Sequence, residues 1–200
     1  MINKFRMGAA GAALVAALAF GGVAQAADSA TATAQAEVVQ ALTLNKTSDM
    51  DFGKIVVAGA GTVDLAVDDS VSCSANITCY STTSAAAFEI TTGTIGKTIE
   101  VTLPDATELV LAGATPDIVT GLYADADKLE LDSFVTDATS NDILDTDGIT
   151  VLGQYYTVQL VDDGAGNGSA DFAIGGTITI DGSEGEGVYS TTFVVDVDYI

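Results

Sequence analysis

The chain has 200 residues, of which 28 are acidic and 6 basic, for a formal net charge of −22, and it contains neither His nor Trp. Such a charge repels nucleic acid and anionic membrane surfaces. The missing imidazole removes the common nucleophile–His arrangements, so a protein that is not an enzyme and holds no cofactor is expected.

The first segment reads as an address. Lys4 and Arg6 precede the small-residue apolar run Met7 to Gly22, and Ala24-Gln25-Ala26 supplies a small-x-small cleavage site. Residues 1–26 are therefore expected to be a signal peptide, with one domain over 27–200. The apolar run is too short and too rich in Ala and Gly for a membrane span, and no second long apolar segment follows. Export by the Sec route to the periplasm, cell surface or medium is expected. Cleavage would remove two basic residues and no acid, leaving four against 28, or −24.

Alternation with period two dominates the remainder. Thr31 to Glu37 alternates polar residues with Ala, then runs through Val38-Val39 to Leu42-Thr43-Leu44; the parity change between the two valines suggests a bulge or a strand that changes sheets. Asp51-Phe52-Gly53 reads as a strand end whose Phe packs inside. Val63, Leu65 and Val67 share one parity, Phe88-Glu89-Ile90 is a short repeat of the idea, and Ile99, Val101 and Leu103 form another strand that Pro104 ends. Between them lie the only cysteines, Cys73 and Cys79. In an exported chain an even, close pair reads as a disulfide, and closing so short a loop contributes about 2 kcal/mol.

Leu129-Glu130-Leu131-Asp132 starts a further strand, but Leu122 to Ile149 as a whole is ambiguous between a helical turn and a long acidic loop. Tyr156, Val158 and Leu160 mark the next strand. Two acidic groups invite a calcium test: Asp142, Asp145 and Asp147-Gly148, and Asp162-Asp163-Gly164-Ala165-Gly166-Asn167. The first departs from the calcium-loop pattern, with Ile143 where the first Asp belongs and Gln154 in place of the closing Glu. The second is more simply a hairpin turn, since Asp-Gly and Asn-Gly tolerate positive φ. No metal ligand set is therefore assigned.

Phe172, Ile174, Ile178 and Ile180 share a parity around Gly175-Gly176, and the turn-rich Asp181 to Gly187 leads to the last strand. In Gly187 to Ile200, Tyr189, Phe193, Val195, Val197 and Tyr199 alternate with polar residues, Val194 excepted. Phe193, Val195, Val197 and Tyr199 are the candidate assembly strand. Short strands separated by Gly, Asp, Ser and Asn turns, without an amphipathic helix after the leader, indicate an all-β sandwich.

Several of these segments, in this order, carry a resemblance. Ala32 through Leu44, Asp49-Met50-Asp51-Phe52-Gly53-Lys54-Ile55, Thr98 to Pro104, Gly175 to Ile180 and Gly187 to Phe193 together resemble the bacterial domain-of-unknown-function family 4402. The resemblance covers nearly the whole mature chain and implies an immunoglobulin-like antiparallel β-sandwich, related to spore coat protein U-like domains and pilins. The Cys73–Cys79 segment and the acidic stretch Leu122 to Gly148 look like additions to the family pattern. In pilin-like relatives an extended strand of one subunit completes the sandwich of the next. The matching segments here are Asp28 to Val39 as donor and Val188 to Ile200 beside the groove. The donor is Ala/Thr-rich where bulky apolar residues are usual, so pairing of the terminal strand within its own chain is favoured. The expected role is a structural or surface-assembly protein, pilus- or coat-like, with self-assembly or another surface protein as partner. The alternative is a secreted adhesin or ligand-binding module acting through its acidic loops.

Overall fold

A computed structural model describes residues 30–144 and 151–200. The chain divides into a unit of residues 1–37 and a unit of residues 38–200. Of the first, residues 30–37 are exposed and carry no regular secondary structure. All described strands belong to the second.

The first eight strands are β1 (Thr43–Ser48), β2 (Lys54–Val57), β3 (Gly61–Leu65), β4 (Val71–Cys73), β5 (Ile77–Tyr80), β6 (Ala86–Thr92), β7 (Thr98–Thr102) and β8 (Thr107–Leu111). A single 3-10 turn, Asp125–Asp127, leads into β9 (Lys128–Thr136) and β10 (Thr139–Leu144). The rest are β11 (Val151–Gln159), β12 (Val161–Asp162), β13 (Gly168–Ile180), β14 (Tyr189–Ser190) and β15 (Asp196–Tyr199). Every pairing among them is antiparallel. The fold is the all-β sandwich that the alternation indicated. Its largest sheet runs β1-β6-β13-β9-β8-β14, with β3 and β4 joined through β13; a second runs β10-β11-β7-β15, and β2-β5 form a two-stranded ribbon.

The thirteen-residue β13 is the spine. Its first half pairs with β6, from Ala170↔Ile90 to Ile174↔Ala86, and its second half with β3, from Gly176↔Leu65 to Ile180↔Gly61. Its one-parity apolar set is correspondingly shared between two cores. Ala170, Phe172 and Ile174 pack with Ile90, Ile99, Val101 and Leu160, whereas Ile178 and Ile180 pack with Val63, Leu65, Ile77, Leu129 and Leu131. Gly175 lies at the changeover because a Cβ there would overlap the Leu65 carbonyl oxygen. Burial of these branched side chains, at about 1.5–3 kcal/mol each, is the main favourable term. Met50, Phe134 and Phe193 touch both cores.

One expectation is corrected. Residues 30–42 carry no strand, and regular pairing begins only at Thr43. Alternating Ala and Thr bury too little apolar area to offset the cost of ordering backbone, and Val38 is 92% exposed. Of the two alternatives for the stretch from Leu122, the helical turn is present as the 3-10 turn Asp125–Asp127, and the strand started at Leu129 is β9, which stands between β13 and β8 and puts Leu129 and Leu131 in the core. Residues 145–150 of that stretch lie outside the described residues. The cysteine segment supplies β4 and β5 and buries Ile77.

The disulfide forms as expected. Cys73 on β4 and Cys79 on β5 are bonded, with Cα atoms 6.3 Å apart, so the cross-link ties the ribbon to the edge of the large sheet. Both half-cystines pack against the second core.

Candidate functional site: an open sheet edge at the C-terminus

Val188 to Ile200 is not one strand. Tyr189–Ser190 pair with β8 in the large sheet, residues 191–195 carry no regular structure, and Asp196–Tyr199 pair with β7 in the four-stranded sheet. The segment crosses from one layer of the sandwich to the other while its odd-numbered residues keep turning inward. Val195 is buried in the first core, with Phe193, Val197 and Tyr199 packed against it. The Phe193 ring also meets Phe134, centroids 5.5 Å apart and tilted by 56°, an edge-on geometry favourable between aromatic quadrupoles. All four residues of the candidate assembly strand therefore serve their own chain's core.

Tyr199 finishes the strand with a polar clamp. Its hydroxyl donates to the Gln40 carbonyl oxygen at 2.9 Å and accepts from the Thr94 N–H at 2.8 Å. The Gln40 N–H in turn donates to Thr94 Oγ1 at 2.8 Å. The last strand, the approach to the first strand and the β6–β7 connection are thus fastened at one point. Tyr189, at the other end of the segment, is clamped similarly: its hydroxyl lies 2.9 Å from the Ala126 and 2.8 Å from the Gly185 carbonyl oxygen. Burial, and then the nearby Glu184 carboxylate, raise its pKa above the usual phenol value.

One side of β15 is occupied by β7, with Val197↔Val101, Asp198↔Glu100 and Tyr199↔Ile99 in register. The other side has no strand partner among the described residues. The Ile200 N–H donates to the Thr98 carbonyl oxygen, which makes the even-numbered residues the hydrogen-bonded pairs with β7. In an antiparallel ladder the alternate residues then direct their N–H and C=O groups to the opposite side. Val197 and Tyr199 therefore present backbone donors and acceptors at the open edge.

Among the described residues, the carboxylates of the second acidic group are engaged by their own turn. Asp163 accepts from the Ala165 and Asn167 N–H groups and from Asn167 Nδ2, at 2.7–3.0 Å, and Asp162 accepts from the Gly164 N–H. The Asn167 side-chain hydrogen bond leads the contacts that hold the Asp163 carboxyl below the usual carboxylate range. This is the hairpin turn between β12 and β13, with Gly164 and Gly166 at φ +80° and +91°. Asp142 lies on β10, accepting from Gln154 at 3.2 Å, while Asp145 and Asp147 fall outside the described residues. Among the described residues no group of three or more potential ligands is placed to hold a metal.

One acidic concavity was not legible in the sequence. A cleft of about 430 Å3 is lined by Glu108, Asp125, Lys128, Glu130, Asp181 and Glu184, drawn from β8, the 3-10 turn, β9 and the β13–β14 connection. Lys128 Nζ lies 2.8 Å from Glu108 and 3.6 Å from Asp125, and the Glu108 hydrogen bond is the first cause of its raised pKa. These carboxylates are distant in sequence, so only the β8–β9 pairing and the return of the chain after β13 assemble them.

Comparison with known families adds one finding. The family model described as "Domain of unknown function (DUF4402)" matches residues 42–199. This chain belongs to the DUF4402 family. The match begins where regular pairing begins and runs through Tyr199, so the DUF4402 domain includes the cysteine segment, the acidic stretch and the open edge. No match was obtained among curated proteins or among solved structures.

Proposed function

We propose that this DUF4402 domain belongs to an exported, non-catalytic structural protein that joins a surface assembly by accepting an extended segment of its partner along β15. The observation that carries the reading is the side of β15 that has no strand partner among the described residues, while its inward residues Val197 and Tyr199 already pack on the core. An added strand would gain backbone hydrogen bonds from the edge and would extend the apolar layer with its own alternate residues. The opposite edge of that sheet, β10, is a poorer acceptor: its residues are mostly exposed, Ile143 and Leu144 among them at 46% and 47%. The basic start and cleavage-like Ala24-Gln25-Ala26 support export.

Val197→Pro tests it. The Val197 N–H faces the open side, so proline removes a donor that the fold does not use, as edge strands tolerate. In cells that make the protein, the wild type should sediment with surface material and the variant should appear in the soluble fraction while still unfolding cooperatively, its Tm lowered only by the loss of the half-buried Val197 side chain from the first core. Wild type that is wholly soluble, or a variant retained equally well, defeats the proposal.

A ligand-capturing module is the second reading, and the acidic cleft around Lys128 favours it. It makes the opposite forecast: Glu108→Gln with Glu184→Gln would release the protein and Val197→Pro would not.

A further inference from the structure

We infer that the segment received along β15 is a cationic strand of another protein, with Lys or Arg at alternate positions, and not a strand of a second copy of this chain. The inference rests on the reading of β15 as an acceptor edge and identifies its partner by charge.

The even-numbered residues of β15 lie on the face away from the core and are acidic: Asp196 and Asp198 are both exposed. Asp198 stands directly opposite Glu100 of β7, and Asp196 opposite Thr102. Like charges facing each other across a strand pair are unfavourable, and among the described residues neither Asp198 nor Glu100 has an ion-pair partner. Among the described residues the edge thus ends in a row of two carboxylates without an ion-pair partner, Glu100 and then Asp198, leading toward the side of β15 that no described strand covers. A cation placed next in that row would convert repulsion into attraction.

The backbone register strengthens the effect. Asp198 uses its own N–H and C=O on the β7 side, so on the open side it forms the non-hydrogen-bonded type of pair with an antiparallel newcomer. Cα atoms in such pairs are about 4.5 Å apart, closer than in the hydrogen-bonded type at about 5.5 Å. Charges on the incoming residues opposite Asp196 and Asp198 are therefore read at the shortest cross-strand distance available.

A second copy offers the wrong sign. It carries a net charge of −22, and the two outer strands of its own four-stranded sheet bear Asp142 on β10 and Asp196 and Asp198 on β15. Edge-to-edge pairing of copies would stack carboxylate on carboxylate, a device that natural sheets use to keep edges from self-pairing.

The test uses the full chain and three synthetic ten-residue peptides in which Val alternates with Lys, Ser or Glu, each also made with alternate backbone nitrogens methylated. Affinities are measured by calorimetry at low and high salt. The Lys peptide should bind roughly tenfold more tightly than the Ser peptide, as expected for two opposite-charge pairs. The Glu peptide should bind weakest, and the preference should shrink with salt. Asp198→Asn should reduce Lys-peptide affinity severalfold while leaving Ser-peptide affinity unchanged. If Lys and Ser peptides bind equally and methylation abolishes both, the acceptor edge stands and the charge inference is overturned. If no peptide binding is sensitive to methylation, the acceptor edge fails and the inference with it. Sedimentation showing dimers at neutral pH that Val197→Pro abolishes would also overturn it.

Discussion

The two ends of this chain look alike in sequence and behave differently in structure. Thr31 to Val39 and Val188 to Ile200 both alternate with period two, yet residues 30–37 are exposed without regular structure while the C-terminal segment supplies strands to two sheets. The difference lies in the size of the alternating set. At the N-terminus it is mostly Ala, which adds almost nothing on burial. At the C-terminus it is Tyr189, Phe193, Val195, Val197 and Tyr199, enough to reach both cores. Alternation states which residues share a face; apolar area decides whether the face is worth ordering.

Three variants would break or sharpen that contrast. The largest effect is expected at Phe193, whose ring touches both cores and Phe134. Phe193→Ala should cost about 2–3 kcal/mol in urea denaturation, somewhat below a fully buried Phe because the ring is only partly covered. A loss under about 0.5 kcal/mol would mean that the crossing between sheets contributes no anchoring. Next comes the point where the last strand meets Gln40 and the β6–β7 connection. Tyr199→Phe leaves the Thr94 N–H and the Gln40 carbonyl without their shared hydroxyl and should cost about 1 kcal/mol. Faster amide exchange at Thr94 would accompany it, and unchanged protection there would show that the clamp is ornamental. The smallest effect belongs to the N-terminal arm: deleting residues 30–36 should change stability by no more than about 0.5 kcal/mol. A larger loss would place those residues in a partnership that their exposure contradicts.

Much of the strand inventory was legible. Val63 and Leu65, Ile99 and Val101, and Phe172 through Ile180 all lie on strands with the inward parity their alternation implied. Phe52 is buried, as its place in Asp51-Phe52-Gly53 suggested, and the cysteines pair. β9 was legible only in its first half. Leu129 and Leu131 share a parity that Phe134 breaks, because Ser133 and Phe134 together oppose Gly176 in a bulge and Ser133 adopts φ +48°. A bulge of this kind resets the alternation, and nothing local marks it apart from a glycine some forty residues later. The terminal strand misled in the reverse sense: its parity held throughout, so the change of sheet between Ser190 and Asp196 left no trace in the pattern.

The sequence by itself determined which side chains turn inward, where turns interrupt the strands, that the two cysteines join, and that the surface is overwhelmingly acidic. These are consequences of residue size, backbone freedom and charge within a few positions. Only the tertiary structure decided that β13 divides its apolar face between two cores, that the strand begun at Leu129 takes a central place between β13 and β8, and that Asp198 faces Glu100 beside an edge with no strand partner among the described residues. Those outcomes depend on which strands meet across the chain, and pairing partners are chosen by the summed burial of the whole sandwich.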